Sequence, residues 1–332
     1  MKFTRLIVLI AILFGTNLYC TNRDSLLKIA KAPTTTDSVK FFIYYDMAWD
    51  YLYSNPDSAY TFSKQAFVFA KRSGSPRIQT KILNLMGSYF QVKGDYVKAI
   101  DYYQKSLKLG ELEKIDEAVL VALGNIGAIY ISIGQNKKGL EYQLKSLAIA
   151  QKLKNENKLA SIYNNLSLLY NNFNEFNKSL AYGKKSLAIY QKMNNVNGIS
   201  SAYGNIGNAY MNLNNLDEAL ASFLKNNELA KEAENPYEEC TSSMDIGEIY
   251  YKRKQYKLAL PYYLNAEKIA IEIDDDLSLK SVYGNLYQIY KATNEINKAL
   301  ENFEKYVSVL EKLNETSSKE ELHKKEVEFE FN

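Results

Sequence analysis

The chain has 332 residues, of which 46% are hydrophobic and 24% are charged, and its formal net charge is +3. This composition is typical of a folded globular protein and excludes an intrinsically disordered chain. The net charge is small and the acidic and basic residues are interspersed, so the sequence gives no basis for a nucleic-acid-binding surface.

The first predicted element is an export signal at the N-terminus. Lys2 and Arg5 make a basic start, and nine consecutive apolar residues follow at 6–14. A run of this length is typical of a signal-peptide core and is too short to span a bilayer. We therefore predict that residues 1–20 are a signal peptide and that the mature protein lies in the periplasm or the cell envelope.

A cysteine closes this signal region. Cys20 stands where a bacterial lipoprotein carries its lipidated cysteine, although Tyr19 replaces the small residue that usually precedes it. Lipid anchoring at Cys20 and simple cleavage both fit the sequence. In either case Cys240 has no partner for a disulfide. Stability must therefore come from helix packing and not from a disulfide framework.

A polar lead over residues 21–37 is followed by an internal repeat. The repeat is clearest in GNIGAIY at 124–130 and GNIGNAY at 204–210. Steps of 40 residues along the chain recover a small residue with an aromatic residue three positions later. The small anchors of five copies are Gly87, Gly127, Ser167, Gly207 and Gly247. A fixed period of about 20–50 residues is the sequence signature of a solenoid.

The two glycines of GNIG could also form a phosphate-binding loop. Such a loop follows a strand, and no β-branched run precedes either copy. In the second half of the repeat, Leu140, Leu144 and Leu147 fall at helical intervals. Each repeat therefore predicts a pair of helices. Glycine inside a helix costs about 1 kcal/mol relative to alanine, so we predict that Gly127 and Gly207 lie where two helices touch.

These anchors resemble the tetratricopeptide repeat, because small-x-x-Tyr is followed by small residues 12 and 19 positions later. The resemblance covers residues 38–314 as seven repeats. It implies an all-α fold, a right-handed superhelical solenoid of antiparallel helix pairs. The repeat of 40 residues is longer than the usual unit of about 34. We therefore predict a variant whose second helix is about two turns longer than in the usual unit, as in kinesin light chain, and is the longer helix of each pair.

A charged segment over residues 315–332, with SSKEELHKKEVEFEFN at its end, predicts a helical tail or connector. A narrower resemblance concerns the first repeat, DMAWDYLYSNPDSAYTFSKQAFVFAKRSG. This stretch is similar to the exported tetratricopeptide sensor regions of Bacteroidetes-type histidine kinases and transcriptional regulators. In those proteins a charged helix, a membrane span and an output domain follow the repeats. A naturally short chain and a truncated sensor therefore both stay open.

The sequence contains no recognisable catalytic or metal-binding arrangement. Its one histidine, His323, lies in the charged tail, where a solvated surface role is expected. The acidic run Asp274, Asp275 and Asp276 lacks the further ligands of a calcium loop. No Cys–His pair and no serine-elbow motif occurs. We predict a protein that is not an enzyme and that uses no cofactor or metal.

The resemblance places the first helices of all repeats on the concave face of the array. Two positions before the small anchor, asparagine recurs at Asn125, Asn165, Asn205 and Asn285, and Asp245 takes that position in one copy. Asparagine is a poor helix residue because its side chain competes for backbone hydrogen bonds. We therefore predict that these side chains face a ligand.

An asparagine amide offers one acceptor and two donors, which suits the backbone of an extended peptide. Asparagine ladders hold peptides in other proteins that this sequence resembles. The residues predicted to flank the ladder are Asn164, Asn208, Glu248 and Gln288. The alternative is that the asparagines bond only to one another or to water.

The predicted function is therefore protein or peptide binding by an exported scaffold or sensory module. The alternative is the sensory half of a truncated membrane histidine kinase or DNA-binding regulator. We expect no nucleic-acid contact through this region. Membrane contact is expected only through the N-terminal signal or lipid anchor, or through a missing C-terminal span.

Overall fold

The computed structural model describes residues 18–330 of the chain, and all regular structure in that range is α-helical, without a strand. The helices are α1 Leu18–Lys31, α2 Asp37–Tyr51, α3 Pro56–Arg72, α4 Pro76–Val92, α5 Tyr96–Leu112, α6 Asp116–Ser132, α7 Asn136–Lys152, α8 Glu156–Asn172, α9 Phe176–Lys192, α10 Val196–Asn212, α11 Leu216–Glu232, α12 Pro236–Lys252, α13 Tyr256–Glu272, α14 Asp276–Ala292 and α15 Ile296–Glu330. The predicted all-α fold is confirmed. Most of the predicted signal peptide, residues 1–17, lies outside the described residues, as does the side chain of Cys20.

From α2 onward the helices form pairs, and the partners within a pair run antiparallel. Asp116 at the start of α6 pairs with Lys152 at the end of α7, at 2.6 Å between Oδ2 and Nζ. Near the other end of this pair, the rings of Tyr130 and Tyr142 stack at a centroid distance of 5.5 Å. The chain divides into two compact units, Met1–Leu153 and Lys154–Asn332. Each unit is a stack of such pairs.

In the five middle repeats, formed by helices α4 to α13, the two helices are equal in length. Helices α3 to α14 each span 17 residues. The longer second helix that the 40-residue period predicted is therefore wrong. The extra residues are shared between both helices, and three-residue turns separate them. The physical reason is that a pair buries its shared face along its full length only when both helices are equally long.

A residue with positive φ stands in the middle of every turn from α3 to α15, at intervals of 20 residues from Gly74 to Asn294. In the turn after α4, the Asp95 N–H donates to the Phe90 carbonyl at 2.9 Å and the Gly94 N–H donates to the Gln91 carbonyl at 3.1 Å. This is a Schellman motif, which satisfies the last carbonyls of the helix. Glycine and asparagine tolerate the left-handed conformation best. Five turns use other residues instead, namely Lys114, Lys154, Glu234, Lys254 and Asp274.

The small anchors let the two helices of a pair approach closely. A Cβ added to Gly207 would lie 2.6 Å from Cε1 of Phe223, which is fully buried on α11. Gly127 packs in the same way against a side chain of α7. In the repeat between them the glycine is on the second helix instead of the first. Ser167 on α8 faces Gly183 on α9, and a Cβ added to Gly183 would lie 3.0 Å from Ser167 Oγ. The predicted role of Gly127 and Gly207 at a helix contact is confirmed.

Buried serines make polar contacts between the paired helices. Ser186 Oγ on α9 donates to the Ala160 carbonyl on α8 at 2.8 Å. Ser106 makes the corresponding bond to the Thr80 carbonyl at 3.2 Å. Ser63 on α3 is equally buried, but its hydroxyl has no hydrogen-bond partner. The same kind of residue is therefore satisfied in some repeats and unsatisfied in another.

The last helix is about twice as long as the others. α15 has 35 residues and continues through the segment predicted as a charged helical tail, as far as Glu330. The side chain of His323 lies outside the described part of that helix. Between residues 18 and 330, no helix combines the length and the apolar character that crossing a membrane requires.

Candidate functional site

A polar groove of about 530 Å³ lies in the second unit, on the face formed by the first helices of its pairs. Its walls come mainly from α8, α10 and α12, with one residue from α11 and one from the turn before α12. We call it the polar groove, because asparagine is its commonest residue. The asparagines that line it are Asn164, Asn205, Asn208, Asn226 and Asn235.

The polar groove brings together four of the nine residues predicted to bind a peptide. These four are Asn164, Asn205, Asn208 and Asp245. The other five, which are not among the lining residues, are Asn125, Asn165, Glu248, Asn285 and Gln288. Asn125 belongs to the first unit. Asn285 Nδ2 donates to the Ser281 carbonyl of its own helix at 3.0 Å, and Gln288 is exposed.

Two asparagines of neighbouring repeats bond directly to each other. Asn205 Nδ2 on α10 donates to Asn164 Oδ1 on α8 at 2.9 Å, and it lies 3.3 Å from the Asn164 carbonyl. Asn171 Nδ2 donates to the Asn205 carbonyl at 3.0 Å. The mutual bonding that the sequence left as an alternative therefore occurs for Asn164 and Asn205. It fixes both amides at the wall of the polar groove.

The sequence reasoning missed the residues that surround Asp245. Glu238 Oε1 accepts a hydrogen bond from Ser201 Oγ at 2.9 Å, and Glu238 Oε2 lies 3.5 Å from Asn226 Nδ2. Tyr237 and Thr241 also line the groove. The available signal was helical spacing, because Glu238 precedes Asp245 by seven positions, or two turns of one helix face.

Asp245 is a half-buried carboxyl group on α12. Burial is the largest cause that raises its pKa, the nearby carboxylates of Glu248 and Glu238 add to it, and together they raise the pKa to about 8. No lysine or arginine in the described residues forms an ion pair with it, whereas Glu248 pairs with Lys252 at 3.1 Å. Asp245 therefore carries an unfavourable charge when it ionises.

A buried phenol lies close to these carboxylates. The hydroxyl of Tyr263, a fully buried residue on α13, has no hydrogen-bond partner. Burial raises the pKa of Tyr263, and the charges of Glu248 and Asp245 add to that effect. In the first unit, the equivalent Tyr103 hydroxyl lies 3.0 Å from both Ser88 Oγ and Gln91 Oε1. In the repeat that contains Tyr263, no side chain of the described residues takes the place of these two hydrogen-bond partners.

Among the described residues, no group of three or more His, Cys, Asp or Glu side chains is arranged to hold a metal ion. The polar groove itself is lined by only two carboxyl groups, Glu238 and Asp245. Its chemistry is therefore that of amides, hydroxyls and carboxyls, which bind a ligand through hydrogen bonds and charge.

A family model described as tetratricopeptide repeat matches residues 118–192 and 237–312, and a second model of the same description matches residues 200–232. Together these matches cover more than half of the chain. They include α8, α10 and α12, apart from short stretches at the ends of the matches. Comparison with curated proteins gives no match.

Solved structures with a similar fold include the apo form of RapI, with a TM-score of 0.65 and 13% identity over 83% of this chain and 99% of that one. NprR in complex with its cognate peptide NprX matches with a TM-score of 0.61 and 18% identity, over 83% of this chain and 80% of NprR. A tetratricopeptide repeat protein from Parabacteroides merdae matches with a TM-score of 0.53 and 17% identity, over 81% and 93% of the two chains. Identities this low establish a likeness of fold alone.

Proposed function

This chain belongs to the tetratricopeptide repeat family, and we propose that it binds an extended peptide segment of a protein partner in the polar groove. The observation that carries the proposal is the groove itself, where asparagines from successive first helices meet in one space of about 530 Å³. The peptide-bound NprR structure supports the proposal through its similar fold.

The spacing of the helices suits an extended chain. Packed helices lie about 8–10 Å apart, and an extended peptide covers that distance in about three residues. Asn205 Nδ2 is committed to Asn164 Oδ1, which leaves Asn205 Oδ1 as an acceptor and Asn164 Nδ2 as a donor. These two groups match the N–H and the C=O of a peptide backbone. The groove can therefore hold main chain without reading the sequence.

A double substitution tests this proposal. Asn164→Ala with Asn205→Ala removes two backbone-binding groups, each expected to contribute about 1 kcal/mol or more. Capture of peptides from a displayed random library should weaken by at least about tenfold, since 1.4 kcal/mol corresponds to that factor. Asn285→Ala is the matched control, because it shares the register of Asn205 but lies outside the groove. If capture is unchanged while the melting temperature falls, the asparagines are structural and the proposal is wrong.

We also propose that the chain is exported, on the strength of its basic start and its apolar run at residues 6–14. Mass spectrometry of the native protein should show loss of the first 19 or so residues. If Cys20 is lipidated, Cys20→Ser should release the protein from membranes. An intact Met1 in a cytosolic fraction would contradict export.

A sensory role is the second candidate function. The observation that favours it is the length of α15, which continues past the last repeat as a single helix. A continuous helix can transmit a change in the repeats to a following domain. The genomic reading frame beyond Asn332 tests this role. A membrane span and an output domain there would support it, and an immediate stop codon would contradict it.

A further inference from the structure

We propose that the polar groove receives a positively charged group of its peptide ligand at Asp245. The group is an ammonium or a guanidinium, from a lysine or arginine side chain or from a free N-terminus. This inference rests on the proposed peptide-binding function and adds the chemical class of the ligand.

The charges that line the groove are all of one sign. Glu238 and Asp245 are its only charged residues, and no lysine, arginine or histidine is among its lining residues. Two basic side chains of the helices that supply Glu238, Asp245 and Asn226 are engaged with other carboxylates, because Lys252 pairs with Glu248 at 3.1 Å and Lys231 pairs with Glu239 at 3.8 Å. The chain as a whole has a net charge of +3, so this local sign is not a general property of the protein. A groove whose only ionisable residues are acidic favours a cationic ligand, and the ligand's charge in turn favours the ionised form of Asp245.

One of the two carboxyl groups that line the groove lacks an ion-pair partner within the described chain. No basic side chain in the described residues faces the carboxyl of Asp245, whose neighbouring charges are Glu248 and Glu238. Polar groups that are removed from water without a partner are costly, and a second charged group supplied by a ligand offsets that cost. The unpaired carboxyl of Asp245 is therefore an acceptor that a ligand in the groove can satisfy.

The groove is better suited to an ammonium or a guanidinium than to a metal ion. Calcium takes about six to eight oxygen ligands, and the groove offers two carboxyl groups. An ammonium or a guanidinium is satisfied by one or two acceptors in a charge-assisted hydrogen bond. The neighbouring asparagines can hold the peptide backbone on either side of the charged group.

Binding of a cation at Asp245 is linked to pH. The charged or titratable groups around Asp245 are Glu238 and Glu248 on its own helix and Tyr263 on α13, while α10 and α11 contribute only uncharged groove residues. Since the pKa of Asp245 is raised to about 8, much of this carboxyl is protonated at neutral pH. A bound cation favours the ionised form, so binding should release a proton and should tighten as pH rises towards 8.

Displayed random peptides provide the test. The full chain and its Asp245→Asn variant are each used to select from the same library. The expected result is enrichment of lysine and arginine, or of free over acetylated N-termini, on the native chain, and its loss on Asp245→Asn. Comparing acetylated and free peptides distinguishes the two sources of charge. Glu228→Gln is the control, because it removes an exposed carboxylate of α11 that lies outside the groove.

A selected peptide then serves as the probe in calorimetry. At pH 7, titrations in phosphate and in Tris should differ in apparent enthalpy because a proton is released, and Asp245→Asn should abolish that difference. Replacing the basic residue of the peptide with norleucine should weaken binding to the native chain by at least about tenfold and should leave binding to Asp245→Asn unchanged. Capture of peptides without any basic preference, or an equal preference in Asp245→Asn, overturns the inference alone. Failure of the native chain to capture any peptide overturns the proposed function with it.

Discussion

Replacing Gly207 with alanine is expected to destabilise the second unit. The new methyl group would lie 2.6 Å from Cε1 and 2.7 Å from Cδ1 of Phe223, whereas carbon atoms in contact prefer about 3.5–4.0 Å. Phe223 is fully buried and packs with Ile246 and Ile249, so its ring cannot retreat without disturbing the next pair. Overpacking of this kind costs about 1–3 kcal/mol, and the contact at 2.6 Å belongs near the upper end.

The helix propensity of alanine offsets part of that cost, because alanine is favoured over glycine by about 1 kcal/mol. The net loss is then about 2 kcal/mol. A chain of this size loses about 2–4 °C in melting temperature for each kcal/mol of lost stability. Urea denaturation and calorimetry of the full chain measure the change.

Gly284→Ala is the matched control, since its added Cβ would lie 3.6 Å from Tyr306, which is an ordinary contact. It should stabilise the protein by up to about 1 kcal/mol. In a double-mutant cycle, Phe223→Leu should cost less in the Gly207→Ala background than alone, because the smaller side chain leaves room for the methyl group. A Gly207→Ala protein as stable as the native one, with no coupling to Phe223→Leu, would refute the close-contact argument.

Three further tests use other substitutions, two of them with a matched control. Lys254→Gly should stabilise the chain by about 0.5–1 kcal/mol in urea denaturation, because Lys254 has a φ of 56°, which glycine adopts more easily than lysine. The control is Lys268→Gly in an exposed helix interior, which should cost about 1 kcal/mol. The folded-state pKa of Asp245 is raised from 3.8 to about 8, so the native chain loses stability through this group as pH rises across that window. Asp245→Asn should therefore gain stability relative to the native chain between pH 5 and pH 9, and an equal gain at both pH values would contradict the shift. Ser186→Ala should cost about 1 kcal/mol because it loses a buried hydrogen bond, whereas Ser63→Ala should be neutral or stabilising because the Ser63 hydroxyl has no partner. Equal effects of the two substitutions in thermal melts would show that the Ser186 hydrogen bond contributes nothing to stability.

The repeat made much of the fold predictable. Its period of 40 residues located the helix pairs, and the small anchors Gly127 and Gly207 identified where the paired helices touch. These features are visible because close packing tolerates few residue types. Helix length was harder to predict from the sequence. A helix ends at a residue with positive φ, and residues such as Lys254 and Glu234, which do not normally mark a helix end, adopt that conformation here because the next helix holds it in place. That is why the lengths of the paired helices were predicted wrongly.

The candidate site was predictable only in part. The asparagine register led to Asn205 and Asp245, which line the polar groove. It did not separate Asn205 from Asn285, because only the neighbouring helices decide whether an amide faces a cavity or its own backbone. Glu238 was missed, since it lies in the first turn of its helix and outside the anchor pattern. Its importance follows from its contact with Ser201 on another helix, which sequence spacing does not encode.

The packing of each unit also has a consequence for how the chain folds. Within a unit, the extensive helix contacts join helices that are adjacent or next but one along the sequence. Native contacts therefore close only short loops, which corresponds to a low relative contact order and to rapid folding. A nucleus formed by any one pair can grow by docking the next helix in either direction. Adding whole repeats creates no contact of larger sequence separation, so the folding rate should depend only weakly on the number of repeats.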